Sequence, residues 1–264
     1  MRLPTLFVPH GAPTFALHPG EVGAALVAAV RCWPIPRAIL VVSAHWETLE
    51  PTVGGAASPL TVHDFYGFSE ELYALDYPAV GDRVVAERVV SLLRGHGFAA
   101  QISLAQGLDH AVWIPLRMMY PTAEIPVIPM SVQSRRDAAF HAELGRALAP
   151  LLSEGVLLVA SGNLTHNLRH WRESRLNGET QPYVEAFSQW IWQQLQTNNT
   201  DVLLNYREYC PDAVSAHPTE EHLLPFFVAL GAAGADYRAE RLYHGIDERV
   251  FAMDSFALWP VRSA

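Results

Sequence analysis

The sequence predicts a single α/β domain over residues 1–264, built on a mostly parallel central sheet flanked by helices. Three observations predict it. Short β-branched apolar runs alternate with amphipathic stretches along the whole chain, the signature of strand–helix repetition. The runs ILVV and VLLV are continuously apolar, as strands covered on both faces are. No linker, composition break or internal repeat divides the chain, and 264 residues with 50% hydrophobic and 17% charged content suffice for one full core.

The elements follow in order. TLFVPH is a short apolar strand halted by Pro-His-Gly, and EVGAALVAAVRCW, from Glu21, has helical spacing and ends before Pro34. AILVVSAHW is the second strand. Residues 47–81, rich in Gly, Pro, Tyr and Phe without a period, read as a long loop, which in a compact domain usually carries function. DRVVAERVVSLLRGHG is an amphipathic helix stopped by Gly95 and Gly97, FAAQISL a strand, and LDHAVWIPLRMMYP a helix capped by Asp109. IPVIPMSV, the helix RRDAAFHAELGRALAPLLSEG and the strand VLLVASG come next. Two helices, PYVEAFSQWIWQQLQ and TEEHLLPFFVALGAAG, precede a tail of strand character, ADYRAERLYHG and VFAMDSFALWP.

Composition removes several classes. A net charge of −9 argues against a nucleic-acid surface, because phosphates need clustered Lys and Arg. The pair Arg135–Arg136 opens a helix and reads as a solvated face. No stretch approaches the roughly 18 apolar residues of a membrane span, and MRLPTLFVPHG has no signal-peptide pattern. Cys32 and Cys210 form no CxxC motif, which fits a reducing cytoplasm rather than a disulfide scaffold. GxSxG, GxxxxGK[ST] and GxGxxG are absent from the sequence, so no motif supports an α/β-hydrolase, a P-loop enzyme or a dinucleotide-binding enzyme.

Twelve histidines remain to be explained. His10 and His45 end the first two strands, and His166 follows VLLVASG by a few residues. Ligands in open α/β sheets bind beyond the carboxyl ends of the strands, so these three can converge although distant in sequence. Neutral imidazole is a common ligand for divalent metals. In HPTEEHLLPFF, Thr219 reads as a helix cap that puts Glu220, Glu221 and His222 in the first turn. The helix dipole there keeps His222 neutral, and any of the three serves as a remaining ligand on geometry. Asp109–His110 reads either as an acid/base group with its orienting carboxylate or as a cap beside an incidental histidine. HNLRH, His166 to His170, has zincin spacing but lacks the Glu that follows the first His in HExxH. His18, His96, His141 and His244 read as surface residues, and Phe65, Tyr66, Phe68 and Tyr73 as either packing or pocket wall.

The segments PHGAP, VVSAHW, TVHDFYGF, LDHAVWIPL, ASGNLTHNL and PTEEHLLP run in order from residue 9 to residue 225. Together they resemble the class III extradiol ring-cleaving dioxygenases of the LigB-like superfamily, in the 4,5-DOPA extradiol dioxygenase branch. The resemblance implies a LigB-like (phosphorylase-like) α/β fold and cleavage of a DOPA-like catechol by O2 to a muconic semialdehyde. It implies that His10, His45 and His222 bind the metal. His166 would be an acid/base residue that becomes a fourth ligand when zinc is bound. It implies that His110 holds substrate or moves protons, and that Asp109 and, from the loop over the site, His63 bind substrate. Fe(II) is the implied active cofactor, with Zn(II) able to occupy the site in purified protein, and the implied state is a monomer or homodimer. Two rival readings use the same residues. A zinc hydrolase would use a metal-bound water of lowered pKa, and a Memo-like binding module would lack catalysis.

Overall fold

The computed structural model describes residues 3–261, and its frame is an eight-stranded sheet of order β4-β3-β5-β2-β6-β1-β10-β7. In chain order these are β1 (Thr5–Pro9), β2 (Ala38–Glu47), β3 (Thr52–Gly54), β4 (Gln101–Ser103), β5 (Val127–Val132), β6 (Val156–Gly162), β7 (Tyr237–Tyr243) and β10 (Ser255–Pro260). Between the last two, β8 (Ile246–Asp247) and β9 (Phe251–Ala252) form a small separate ladder. The central strands β5, β2, β6 and β1 run parallel, while β3 joins β5, β10 joins β1 and β7 joins β10 antiparallel. The chain is therefore a single-domain α/β protein with a mostly parallel sheet.

Alternation along each central strand feeds two cores, one per face. Leu40, Val42, Leu158 and Ala160 face the helices Arg83–Gly95, Ala138–Leu148, Pro182–Gln196 and Leu224–Ala233. Ile39, Val41, Leu157 and Val159 face Gly20–Arg31 and His110–Met119. Burial on both faces is why these strands read as unbroken apolar runs. Asp82, Asp109 and Asp137 each accept a hydrogen bond from the backbone N–H three residues on, capping the helices that follow them. Among the described residues no helix is long and apolar enough to cross a membrane.

Register decides where the functional side chains emerge. Pro9 pairs with Gly162, and Ser43 with both Ser161 and Ser131, so β1, β2, β5 and β6 finish level at their carboxyl ends. Beyond Ser43 the β2–β5 ladder slips at a bulge before Glu47 pairs with Val132, which re-aims the residues between them.

Several expectations need correction. The stretch 47–81 is not all loop: it contains β3, whose three residues are too few to show a period, and a bridge from Thr61 to Leu108. Arg135 and Arg136 lie in the turn before the helix, which opens at Ala138 behind the Asp137 cap. The late helix begins at Leu224, so Glu220, Glu221 and His222 precede it and Thr219 does not cap it; the Thr219 hydroxyl donates to Glu221 instead. His141 is fully buried rather than on the surface, donating from Nδ1 to the Asp137 carbonyl and accepting the Gln133 N–H at Nε2. Its amphipathic helix turns that position toward the core, which spacing of polar residues alone concealed.

Candidate metal centre

Five imidazoles gather at the carboxyl end of the parallel strands. His10 leaves β1 with its N–H bonded to the Gly162 carbonyl, and Gly11 behind it takes the left-handed backbone (φ 62°) that turns the chain away. His45 projects from the bulged end of β2, its N–H donating to the Ser43 hydroxyl. Ser43 in turn donates to Asp109 at 2.7 Å, tying the end of β2 to the cap of the helix that opens with His110. His166 sits in the loop after β6, where its N–H meets the Ala216 carbonyl. His222 is held by its carbonyl, which accepts the Asn163 N–H. That approach is possible because residue 162 is glycine: a Cβ there would stand 2.1 Å from the His222 oxygen.

The rings of His10 and His45 are 4.9 Å apart, His10 and His222 5.2 Å, and His45 and His222 5.0 Å between centroids. His110 closes on His45 at 4.0 Å and on His10 at 5.2 Å, and His166 stacks flat on His222 at 3.5 Å. Each of the first three rings has an oxygen against Nδ1. Ser161 Oγ stands 3.3 Å from His10, Asp64 Oδ2 3.1 Å from His45, and Glu221 Oε1 3.1 Å from His222. Nε2 is the remaining nitrogen of each ring, and those of His45 and His222 come within 3.2 Å of each other. Ligand-type atoms of the three histidines all lie within 4.8 Å. His45 forms the open side, its side chain 25% exposed, whereas His10 and His222 are buried.

Electrostatics favours neutral rings. Burial first, then the neighbouring imidazoles, holds His10, His222 and His166 well below the usual histidine range. His110 is lowered by burial, with Asp64 opposing. Burial alone would raise Asp64, but hydrogen bonds from His110 and His45 outweigh it and hold its carboxyl well below the ordinary carboxylate range. Asp109 goes the other way: burial pushes it to about 6 against the Ser43 hydrogen bond, and its Oδ2 is buried without a partner. His222 is thus kept neutral by burial and its neighbours; the dipole of a first helical turn plays no part, since it precedes the helix.

The donor chemistry suits a divalent metal. Imidazoles whose second nitrogen is fixed by a hydroxyl or carboxylate are the arrangement found around protein metals, and three such rings leave positions open for other ligands.

Of the residues singled out from sequence, His10, His45, His110, His166 and His222 come together. Asp109 supports His110 from behind. His63 stands apart, donating from Nε2 to the Leu75 carbonyl and packed by Phe65, Tyr73 and Trp113. Phe65 reaches His110 edge-on at 5.7 Å, whereas Tyr66 is 91% exposed and points away. His166 precedes the helix Leu168–Asn177 and does not share it with His170, which disposes of the zincin pattern. Asp64 was not anticipated, because a loop carboxylate is ordinarily solvated; its place between His63 and Phe65 in the aperiodic, aromatic-rich loop was the available signal.

A parallel-sheet protein that gathers neutral, oxygen-anchored imidazoles at its strand ends is one able to hold a divalent metal ion. Residues 25–251 match the family model described as the catalytic LigB subunit of aromatic ring-opening dioxygenase. The chain is 37% identical to the 4,5-DOPA dioxygenase extradiol of Beta vulgaris, covering 96% of this chain and 95% of that one. It is 39% identical to that of Escherichia coli K12 over 88% and 85%. A solved structure of an uncharacterized Escherichia coli K12 protein superposes with a TM-score of 0.78 at 32% identity, covering 97% of this chain and 99% of that one. The chain belongs to the LigB family of aromatic ring-opening dioxygenases and is an enzyme of the extradiol ring-cleaving class. Such an enzyme acts with a metal, on a small aromatic molecule and O2.

Proposed function

We propose that this enzyme cleaves a catechol of the DOPA type beside its two hydroxyls, yielding a muconic semialdehyde, with divalent iron held by His10, His45 and His222. The observation that carries the ligand set is the oxygen partner at Nδ1 of each ring, together with ligand-type atoms of all three rings within 4.8 Å of one another. Relatives named for 4,5-DOPA support the substrate class. Iron(II), when bound, supplies the redox chemistry that joins a catecholate and dioxygen.

The protein supplies orientation and proton handling. His110 Nε2, unprotonated because Nδ1–H is committed to Asp64, accepts a proton from a substrate hydroxyl. His166, neutral and stacked on His222, faces the same space and carries the second proton transfer. Asp109 holds the head of the His110 helix, and His63 braces Phe65, the aromatic wall beside His110. Both atoms of dioxygen enter the product, so no external reductant is consumed. Glu221 acts as the partner of His222 and not as a ligand in its place. The two free cysteines support a cytoplasmic location for a single catalytic domain.

The test is anaerobic reconstitution with iron(II), then a panel of catechols including DOPA in air. Oxygen uptake with a yellow ring-fission product is expected from the iron form alone. Uptake by a zinc-loaded sample, or none by the iron form with any diol, would overturn the proposal.

A further inference from the structure

We infer that Asp64 is a positioning residue for both halves of the reaction centre, one carboxylate fixing the tautomer and angle of the metal-binding His45 and of the proton-handling His110. The inference rests on the ligand set proposed above. Oδ1 of Asp64 lies 2.9 Å from the His110 backbone nitrogen and 2.9 Å from His110 Nδ1. A backbone N–H can only donate, so Oδ1 is an acceptor and the His110 ring must donate to it from Nδ1–H. Oδ2 stands 3.1 Å from His45 Nδ1. Both rings therefore present a bare Nε2 inward, His45 as a ligand and His110 as a base.

The carboxylate achieves this from the loop between β3 and the short helix Glu70–Tyr73, not from the sheet. Its neighbours explain how it stays put. Thr61 donates to Asp76, whose Oδ1 also accepts the Tyr77 N–H, and His63 donates to the Leu75 carbonyl, so the loop is closed on itself on both sides of Asp64. Trp113 Nε1 donates to the Val62 carbonyl, fastening the loop to the same helix that begins with His110. The loop thus delivers one acceptor pair to two rings that come from different elements.

Asp64→Asn preserves shape but offers one oxygen in place of two. With that oxygen kept by His110, the amide NH2 faces His45 Nδ1, which must then accept, moving the ring proton to Nε2 where the metal would bind. Asp76→Asn serves as control, disturbing the same loop without touching either ring. Zinc(II) titrated into metal-free protein against a chelator gives affinity without reference to activity. We expect Asp64→Asn to lose about 10- to 100-fold in zinc affinity and Asp76→Asn to stay within about twofold of the parent. Parent-like affinity in Asp64→Asn, or an equal loss in Asp76→Asn, overturns the role. If His45→Ala also keeps parent affinity, the ligand set itself fails instead. Should Asp64→Asn not fold, ring 15N resonances of the parent decide: Nδ1–H on both His45 and His110 is expected, and Nε2–H on either overturns it.

Discussion

Imidazole serves a metal only when neutral, and through one nitrogen at a time. In this centre the two conditions have separate causes. Burial and crowding among like rings suppress protonation at His10 and His222, while Ser161, Asp64 and Glu221 take up the second nitrogen of each proposed ligand. His166 lies flat on His222 with Glu221 close to both rings, a placement suited to proton transfer. We therefore expect His166→Ala to retain zinc affinity within about threefold while kcat falls by about 10²-fold or more, the usual share of a general acid or base. A chelator titration and steady-state oxygen uptake measure the two separately, and an equal loss in both would make His166 a ligand. Glu221→Gln should weaken the metal by about tenfold, as loss of an outer partner does, with the same titration as readout.

At the scale of elements, the centre exists because four parallel strands end level and because one of them ends in glycine. The Asn163 N–H donates to the His222 carbonyl, which lies directly against Gly162. A Cβ at residue 162 would meet that oxygen at 2.1 Å, so Gly162→Ala must push the His222 turn outward. Overpacking of this kind costs about 1–3 kcal/mol, and the displacement falls on a proposed ligand. A lower thermal midpoint together with at least tenfold weaker zinc binding is expected; unchanged binding would show that His222 is positioned from elsewhere. The strand ends and their histidines were readable from VVSAHW and FVPHG because buried parallel strands announce themselves as apolar runs. The short β3 and the start of the late helix at Leu224 were not, since three residues carry no period and the Thr-Glu-Glu run imitates a cap without making one.

The whole molecule carries a pH dependence that its surface does not advertise. His141 is buried between the helix Ala138–Leu148 and β5, with burial pressing its pKa down to about 4. The unfolded chain, with an ordinary imidazole value of 6.5, takes up the proton first. Stability from this group is therefore complete above about pH 6.5 and is lost as pH falls toward 4. The loss between about pH 7 and pH 5 is about 2 kcal/mol. Urea unfolding of metal-free protein at the two pH values measures it, and His141→Gln should remove about that much of the difference. A variant with the parent's full pH dependence would show that His141 does not stay neutral in the folded state.

The sequence by itself determined the layered α/β architecture, the placing of His10, His45 and His166 just past strand ends, and, through six ordered motifs, the family. Those properties are local or periodic: apolar runs, caps and short signatures are written in neighbouring residues. What only the tertiary structure decided is which nitrogen of each ring is free, and that depends on partners far away in the chain. Ser161 meets His10 and Asp64 meets both His45 and His110 across separations of 151, 19 and 46 residues. His141 and His63 show the same limit from the other side, since nothing local distinguishes a buried structural imidazole from one that faces the reaction centre. Proximity across the sheet, set by strand register and by one glycine's missing Cβ, assigns those roles.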